Sequence, residues 1–269
     1  MQIDEELYAH LQKEIEEHHV DRVHSFQWKG EKVWLKLAEK VRNSTWIKFA
    51  RWACGALGLR IFQPGNTTDG VHALKLEAGR LRRMTRLGLP VPRLIGAGEG
   101  WIVISDVGRP ADKVMTDWNL PHGYRLTVLR ELARSLALLH REGFHHGRPA
   151  LRDMAWNDEQ KKTAIFDFED GILPGLRPAQ RQQRDFLLFI QSIYKECEDD
   201  REEFAVAAMQ IYREEYPEGY RGAVEYFGSF DSVYTLFNVL LKHCGTDLDT
   251  TWRVLRSFRQ ARQEIYSKK

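Results

Sequence analysis

The sequence predicts an α+β chain in two unequal parts, a small β-rich lobe carrying one helix and a larger helical lobe. Three observations lead there. Paired strand signals occur only before about residue 106, apolar residues recur at helical period after about Pro110, and one short strand-like run interrupts that second part. The chain has 269 residues, which suits one large or two-lobed domain. Hydrophobic residues make up 43% and charged residues 29%, enough for a packed core and against disorder. The expected division is 1–105 and 106–269.

Residues 4–19 predict an amphipathic helix, with Leu7, Leu11 and Ile15 on one face and carboxylates on the other. Val23–Trp28 and Val33–Leu37 are aromatic and β-branched runs flanking Gly30, which is a hairpin signal. Residues 38–70 read as a long insertion. Its middle, from Trp46 to Phe62, is aromatic, rich in small residues and basic, and turn residues close it over 63–70. A basic helix follows over 71–87. Pro90 and Pro92 end it, because proline lacks the amide that would continue the ladder. Arg93–Gly98 and Trp101–Ser105 predict a second hairpin. Helices are expected over 126–141, 184–195, 201–214 and 231–265, with Thr163–Asp167 as the short strand.

Composition excludes several classes. Cys54, Cys197 and Cys244 lie far apart with no CxxC pair, which argues against a disulfide framework and a local zinc site. The acidic start, MQIDEELYAHLQKEIEEHHV, has no apolar core of a signal peptide. No run approaches the ~18 apolar residues of a membrane span, so a cytoplasmic protein is expected. Charge is uneven. Between Lys29 and Arg93, fourteen Lys/Arg face four Asp/Glu, while the whole chain carries only +2. The basic third points to an anionic partner, or to a solvated helix face bearing Arg80, Arg82, Arg83 and Arg86.

Two ordered segments carry chemistry. Leu132 to Gly147 reads LARSLALLHREGFHHG, a helix followed by a Leu-His-x-x-Gly-x-x-His-Gly ending. Thr163 to Glu169 reads TAIFDFE, which places Asp167 in an apolar strand, where a carboxylate is costly unless paired or metal-bound. Over about Val23–Tyr194, this ordered set resembles the protein-kinase-like superfamily. The similarity is to its atypical bacterial branches: aminoglycoside phosphotransferases, lipopolysaccharide-core sugar kinases and small atypical Ser/Thr kinases. The resemblance implies a bilobal protein-kinase-like fold.

It also implies ATP and Mg²⁺ as cofactors, and phosphoryl transfer achieved mainly by positioning and charge neutralisation. By that resemblance Lys36 would hold the nucleotide phosphates and Glu77, on the basic helix, would orient Lys36. Asp167 would carry Mg²⁺, a hard cation that prefers oxygen, and Asp153 would supply a second oxygen from the catalytic loop. Asp185 would brace that loop from the next helix. Each has an ordinary alternative: a strand-end lysine for Lys36, and an i,i+4 surface partner for Glu77. His145 and His146 are adjacent and poorly placed to share one ion, which favours packing or hydrogen bonding.

Two departures bear on activity. The related families read His-x-Asp-x-x-x-x-Asn, whereas this chain reads His146-Gly-Arg148-Pro-Ala-Leu-Arg152-Asp153. Arginine cannot take the proton of an acceptor hydroxyl at neutral pH. Between Asp21 and Trp28 there is also no Gly-rich loop to approach phosphates. Three outcomes stay open. Asp153 could act as both base and metal ligand, with Arg148 neutralising the transferring phosphoryl group and His146 in the loop. The chain could instead bind nucleotide without transfer, as a pseudokinase, or serve as an interaction scaffold. The ordinary alternative for Arg148 is an ion pair with Asp153 or Asp185.

Residues 46–62 bear on the acceptor. Trp46, Phe49, Ala50, Ala53 and Leu57 share one helical side, with Lys48 and Arg51 elsewhere. Such a helix suits a membrane interface or packing on the small lobe. An interfacial helix would imply a glycolipid or lipopolysaccharide-core hydroxyl at the inner membrane, and a packed one a protein Ser/Thr or a soluble metabolite. A nucleic-acid partner has no recognition motif of the usual kinds behind it.

Overall fold

The computed structural model describes residues 5–19, 22–38, 61, 70–168, 175–229 and 246–267. The insertion over 38–70, with its expected helix and interfacial surface at 46–62, therefore lies almost wholly outside the described residues. So does the first half of the helix expected over 231–265. The fold is α+β, and the chain forms two compact units. The first is Met1–Gly108 with Ala164–Pro174, and the second is Arg109–Thr163 with Gly175–Lys269. The segment bearing Asp167, expected in the helical lobe, thus groups with the small unit. The Ile165 N–H donates to the Pro90 carbonyl at 2.8 Å and anchors it there.

The first unit opens with helix α1 (Glu5–His18), followed by strands β1 (Val23–Trp28) and β2 (Glu31–Leu37). Helix α2 (Gly70–Arg86) and strands β3 (Leu94–Gly98) and β4 (Trp101–Ser105) complete it. The sheet runs β1-β2-β4-β3, with every neighbour antiparallel. Lys29 and Gly30 have φ of 51° and 84°, and Trp28 faces Glu31 across them. Two successive positive φ angles make a tight two-residue hairpin turn whose twist matches the strands. Alternation along β2 sends Val33 and Leu35 to one face, where they meet Leu7 and Leu11 of α1 with Phe26, Trp101 and Val103. Each such side chain contributes about 1.5–3 kcal/mol on burial. Trp101 folds across Gly98, where a Cβ would stand 2.3 Å from the indole nitrogen. Only glycine fits there.

The second unit starts with β5 (Arg109–Pro110), α3 (Ala111–Met115) and the long α4 (His122–Arg141). A 3₁₀ turn (Leu151–Asp153), β6 (Met154–Asn157) and β7 (Lys162–Ile165) follow, and the chain crosses into the first unit within β7. Then come α5 (Pro178–Glu196), α6 (Arg201–Glu215), α7 (Pro217–Gly228) and α8 (Thr246–Ser267). Val128, Leu129, Leu132 and Leu136 form a fully buried stripe on α4, and Phe186, Phe189 and Ile190 form one on α5. Phe186 stacks on Tyr212 of α6 with ring centroids 3.9 Å apart.

Strand β6 and helix α7 are among the elements that escape the sequence reading. Strand β6 is four residues long, three of them buried, so no alternation marks it. Helix α7 contains Gly219 and Gly222, which read as breakers, yet it starts at Pro217, whose missing amide costs nothing in a first turn. A Cβ at Gly219 would press within 2.1 Å of the Tyr216 ring, so this glycine makes room rather than ending the helix. The acidic run near residue 200 is partly structural. Asp200 forms an ion pair with the buried Arg125 at 2.8 Å, and Tyr194 donates to Glu202 at 2.6 Å. Among the described residues no helix is long and apolar enough to cross a membrane.

Candidate functional site

Strand alternation places Lys36 on the face of β2 opposite Val33 and Leu35. Helix α2 supplies its partner. Leu74, Ala78, Leu81 and Met84 bury one stripe of that helix, and Glu77 lies within it, fully buried. An ionised carboxylate in an apolar stripe is tolerated when paired and hydrogen-bonded. The Lys36 ammonium donates to both Glu77 oxygens, at 3.1 and 2.9 Å. The same ammonium donates to Asp167 Oδ1 at 3.0 Å. Lys36, Glu77 and Asp167 are therefore brought together, one cation among two anions.

The α2 helix also fixes the backbone that carries Asp167. The Phe168 N–H donates to Glu77 Oε1 at 3.3 Å, and its carbonyl accepts from Arg80 Nη1 at 3.2 Å. The Arg80 guanidinium lies 5.0 Å from the centre of the buried Phe168 ring, a cation–π arrangement. Glu77 and Arg80, one turn apart, thus grip the two polar groups of one residue. Asp167 itself has φ of 67°. A non-glycine residue in the left-handed region is strained, and such strain persists where surrounding contacts over-determine it. Asp167 keeps 28% of its side chain exposed, whereas Glu77 keeps 1%. One carboxylate can be reached from solvent, and the other only supports.

Within the second unit the loop after α4 is built around Asp185 of α5, which is fully buried. Its carboxylate accepts from the backbone N–H of His146 and from that of Gly147, the latter at 3.0 Å. His140 Nε2 lies 3.3 Å from Oδ2, and His140 Nδ1 meets the Tyr212 hydroxyl at 2.6 Å. Burial alone would raise the Asp185 carboxyl; the His140 hydrogen bond, with the charges of His140, His146 and His145, outweighs it and holds the group below the ordinary carboxylate value. Burial pushes the Tyr212 hydroxyl well up, so it stays protonated. Gln182 donates to the carbonyls of His140 and Phe144 at 2.6 and 3.0 Å, and Arg184 donates to that of Gly147.

The remaining sequence-derived residues lie on this loop. His146 is 1% exposed and its Nδ1 accepts the Arg148 N–H at 3.2 Å, so it shapes the backbone. The Arg148 side chain is exposed. Asp153 is 5% exposed, its Oδ2 accepts from the Ala150 N–H at 3.2 Å, and Arg152 Nε stands 3.8 Å from its Oδ1. No Gly-rich loop occurs among the described residues around β1, which joins β2 by the Lys29-Gly30 turn. Sequence reasoning missed the grip of Arg80 on Phe168, and named Arg80 only among the arginines of a basic helix, facing either an anionic partner or solvent. A detectable signal was its spacing of three from Glu77, itself a carboxylate within an apolar stripe.

No protein-family model matches the chain. Among curated proteins it is similar to an uncharacterised protein of Haemophilus influenzae (strain ATCC 51907 / DSM 11121 / KW20 / Rd). The two are 23% identical over 265 residues, covering 96% of this chain and 98% of the relative. Among solved structures it is similar to a double mutant of the Mycobacterium tuberculosis PknI kinase domain. The sequence identity is 15% and the TM-score 0.36, over 67% of this chain and 70% of that chain.

Proposed function

We propose that this chain is a kinase-like phosphotransferase that moves the γ-phosphoryl group of ATP to a hydroxyl. The acceptor class is a glycolipid or lipopolysaccharide-core sugar, or a protein Ser/Thr. The observation that carries the reading is the Lys36–Glu77–Asp167 cluster: a buried carboxylate, an ammonium it orients, and a second carboxylate open to solvent. A purely structural ion pair needs no third, partly exposed member on a strained backbone.

The donor set fits Mg²⁺ and a triphosphate. Asp167 offers hard oxygen to the ion, Lys36 offers charge to the phosphates, and the three grouped side chains sum to one negative charge. Bound Mg²⁺ would neutralise charge on the phosphoryl oxygens. Glu77 keeps Lys36 extended, and Arg80 keeps the Phe168 peptide, and hence Asp167, in place. Asp153 is assigned as second oxygen ligand and proton acceptor, and Arg148 as the charge that meets the transferring group. His146 holds the loop backbone. Residues 46–62 are assigned to the glycolipid or inner-membrane surface, which makes the protein cytoplasmic and peripheral to that membrane.

A second reading, a nucleotide-binding pseudokinase, is favoured by Arg148 and by the tight Lys29-Gly30 turn where phosphates would need a glycine-rich cover. One experiment separates the two. Thermal denaturation is followed with millimolar ATP and Mg²⁺, alongside ADP release with lipid A-core glycolipid or a peptide library as acceptor. The transferase predicts a higher melting temperature and turnover, both lost in Asp167→Ala. Stabilisation without turnover selects the pseudokinase, and an unchanged melting temperature removes both.

A further inference from the structure

A second cluster of ligand-type side chains stands in the first unit, made of residues outside the Lys36 group. Glu14 and His18 lie one turn apart on α1, and His24 lies on β1. One oxygen, Glu14 Oε2, is 3.1 Å from His24 Nε2 and 3.5 Å from His18 Nε2. One ligand atom from each of the three lies within 4.8 Å of the others. Donors around a tetrahedral zinc ion with bonds of about 2.0–2.1 Å are spaced about 3.3 Å apart, a value these two separations bracket. The imidazoles of His18 and His24 stack, centroids 4.8 Å apart and planes 26° from parallel, so they reach the carboxylate side by side.

Chemistry narrows the occupant. Imidazole nitrogen suits ions of borderline softness, while Mg²⁺ and Ca²⁺ prefer all-oxygen sets. An imidazole nitrogen offers a lone pair to a metal ion, so two of them beside one carboxylate make a chelating set. His10 lies 3.6 Å from the other oxygen, Oε1, with its ring held by Phe26 and Trp28 at 5.3 and 5.4 Å. Lys13 pairs with Glu17 at 3.7 Å.

We propose that Glu14, His18 and His24 bind a divalent ion of the zinc class, with water in the fourth position. The ion ties α1 to β1 and so fastens the helix that covers the core through Leu7 and Leu11. This site is independent of the phosphotransferase reading.

The test uses the untagged full-length chain, stripped with a chelator and titrated calorimetrically with ZnCl₂. One equivalent binds saturably, binding persists in millimolar Mg²⁺, and the melting temperature rises by about 5 °C at a large excess over Kd. His18→Ala, at a half-exposed position, and His24→Ala each weaken binding at least about tenfold, since even outer partners of a metal site are worth ~10–100-fold. His122→Ala, which removes the histidine beside Asp200 and Glu203, changes nothing. Co²⁺ in place of zinc gives visible absorption that His18→Ala abolishes. Absence of saturable binding, equal affinity in the wild type and His18→Ala, or loss of binding in His122→Ala overturns the proposal.

Discussion

Each unit holds a buried carboxylate beside a basic partner, and the two are put to different uses. In the second unit Asp185 is sealed from solvent, and its partners are two backbone amides and an imidazole that leans on Tyr212. In the first unit Glu77 is equally sealed, but its lysine also reaches Asp167, which solvent can touch. Charge buried with only scaffold partners builds a backbone shape. Charge buried behind a lysine that has a second, exposed partner holds that lysine for something else. Burial alone does not separate the two carboxylates; what differs is that the contacts of Glu77 lead on to the partly exposed Asp167.

The largest effect should come from the sealed site. Asp185→Ala strips two amides and an imidazole of their acceptor, and should cost about 3–5 kcal/mol in urea unfolding. Its folded-state pKa lies below the ordinary 3.8. The stability it contributes is therefore complete above the unfolded value and lost as pH falls through the lower folded one. Wild-type stability should fall below about pH 4 more steeply than that of Asp185→Asn. Parallel acid profiles would break the comparison.

The two arms of Lys36 should then differ. A double-mutant cycle between Lys36→Met and Glu77→Gln should yield about 1.5–3 kcal/mol of coupling, because both groups are desolvated. The cycle with Asp167→Asn should give under about 1 kcal/mol, since Asp167 is partly exposed and water screens it. Equal couplings would mean that Asp167 is as structural as Glu77. The smallest effect is expected at Arg80. Arg80→Lys keeps the charge but loses the planar stack on Phe168, costing about 0.5–1 kcal/mol. Hydrogen exchange should quicken at the Phe168 amide while that of Gly147 stays unchanged. Equal change at both amides would contradict the separate roles.

Much of the architecture was legible because its signals are local. The stripe over Leu129–Leu136 and the runs flanking Gly30 report their own period, and the structure bears out helix and hairpin. The short β6 and glycine-bearing α7 were not, since three apolar residues and an asparagine show no period and a glycine that avoids the Tyr216 ring looks like one that ends a helix. Lys36 and Glu77 could be nominated only through the family resemblance, whereas Asp167 also stood out as a carboxylate in an apolar run. Nothing near any one of them in sequence predicts the other two.

What the amino-acid order determined by itself was the class of each segment: sheet first, helices after, a carboxylate set in an apolar run, and an arginine at position 148. Such features depend on neighbours within a turn or a strand, where covalent geometry dictates who meets whom. What only tertiary structure decided was the company each charge keeps. Lys36 and Asp167 are 131 positions apart and meet at 3.0 Å, and Arg80 turns from a surface cation into the clamp of Phe168. Those pairings follow from how α2 packs on the sheet, because a buried charge takes whichever partner the packing of distant elements brings within reach.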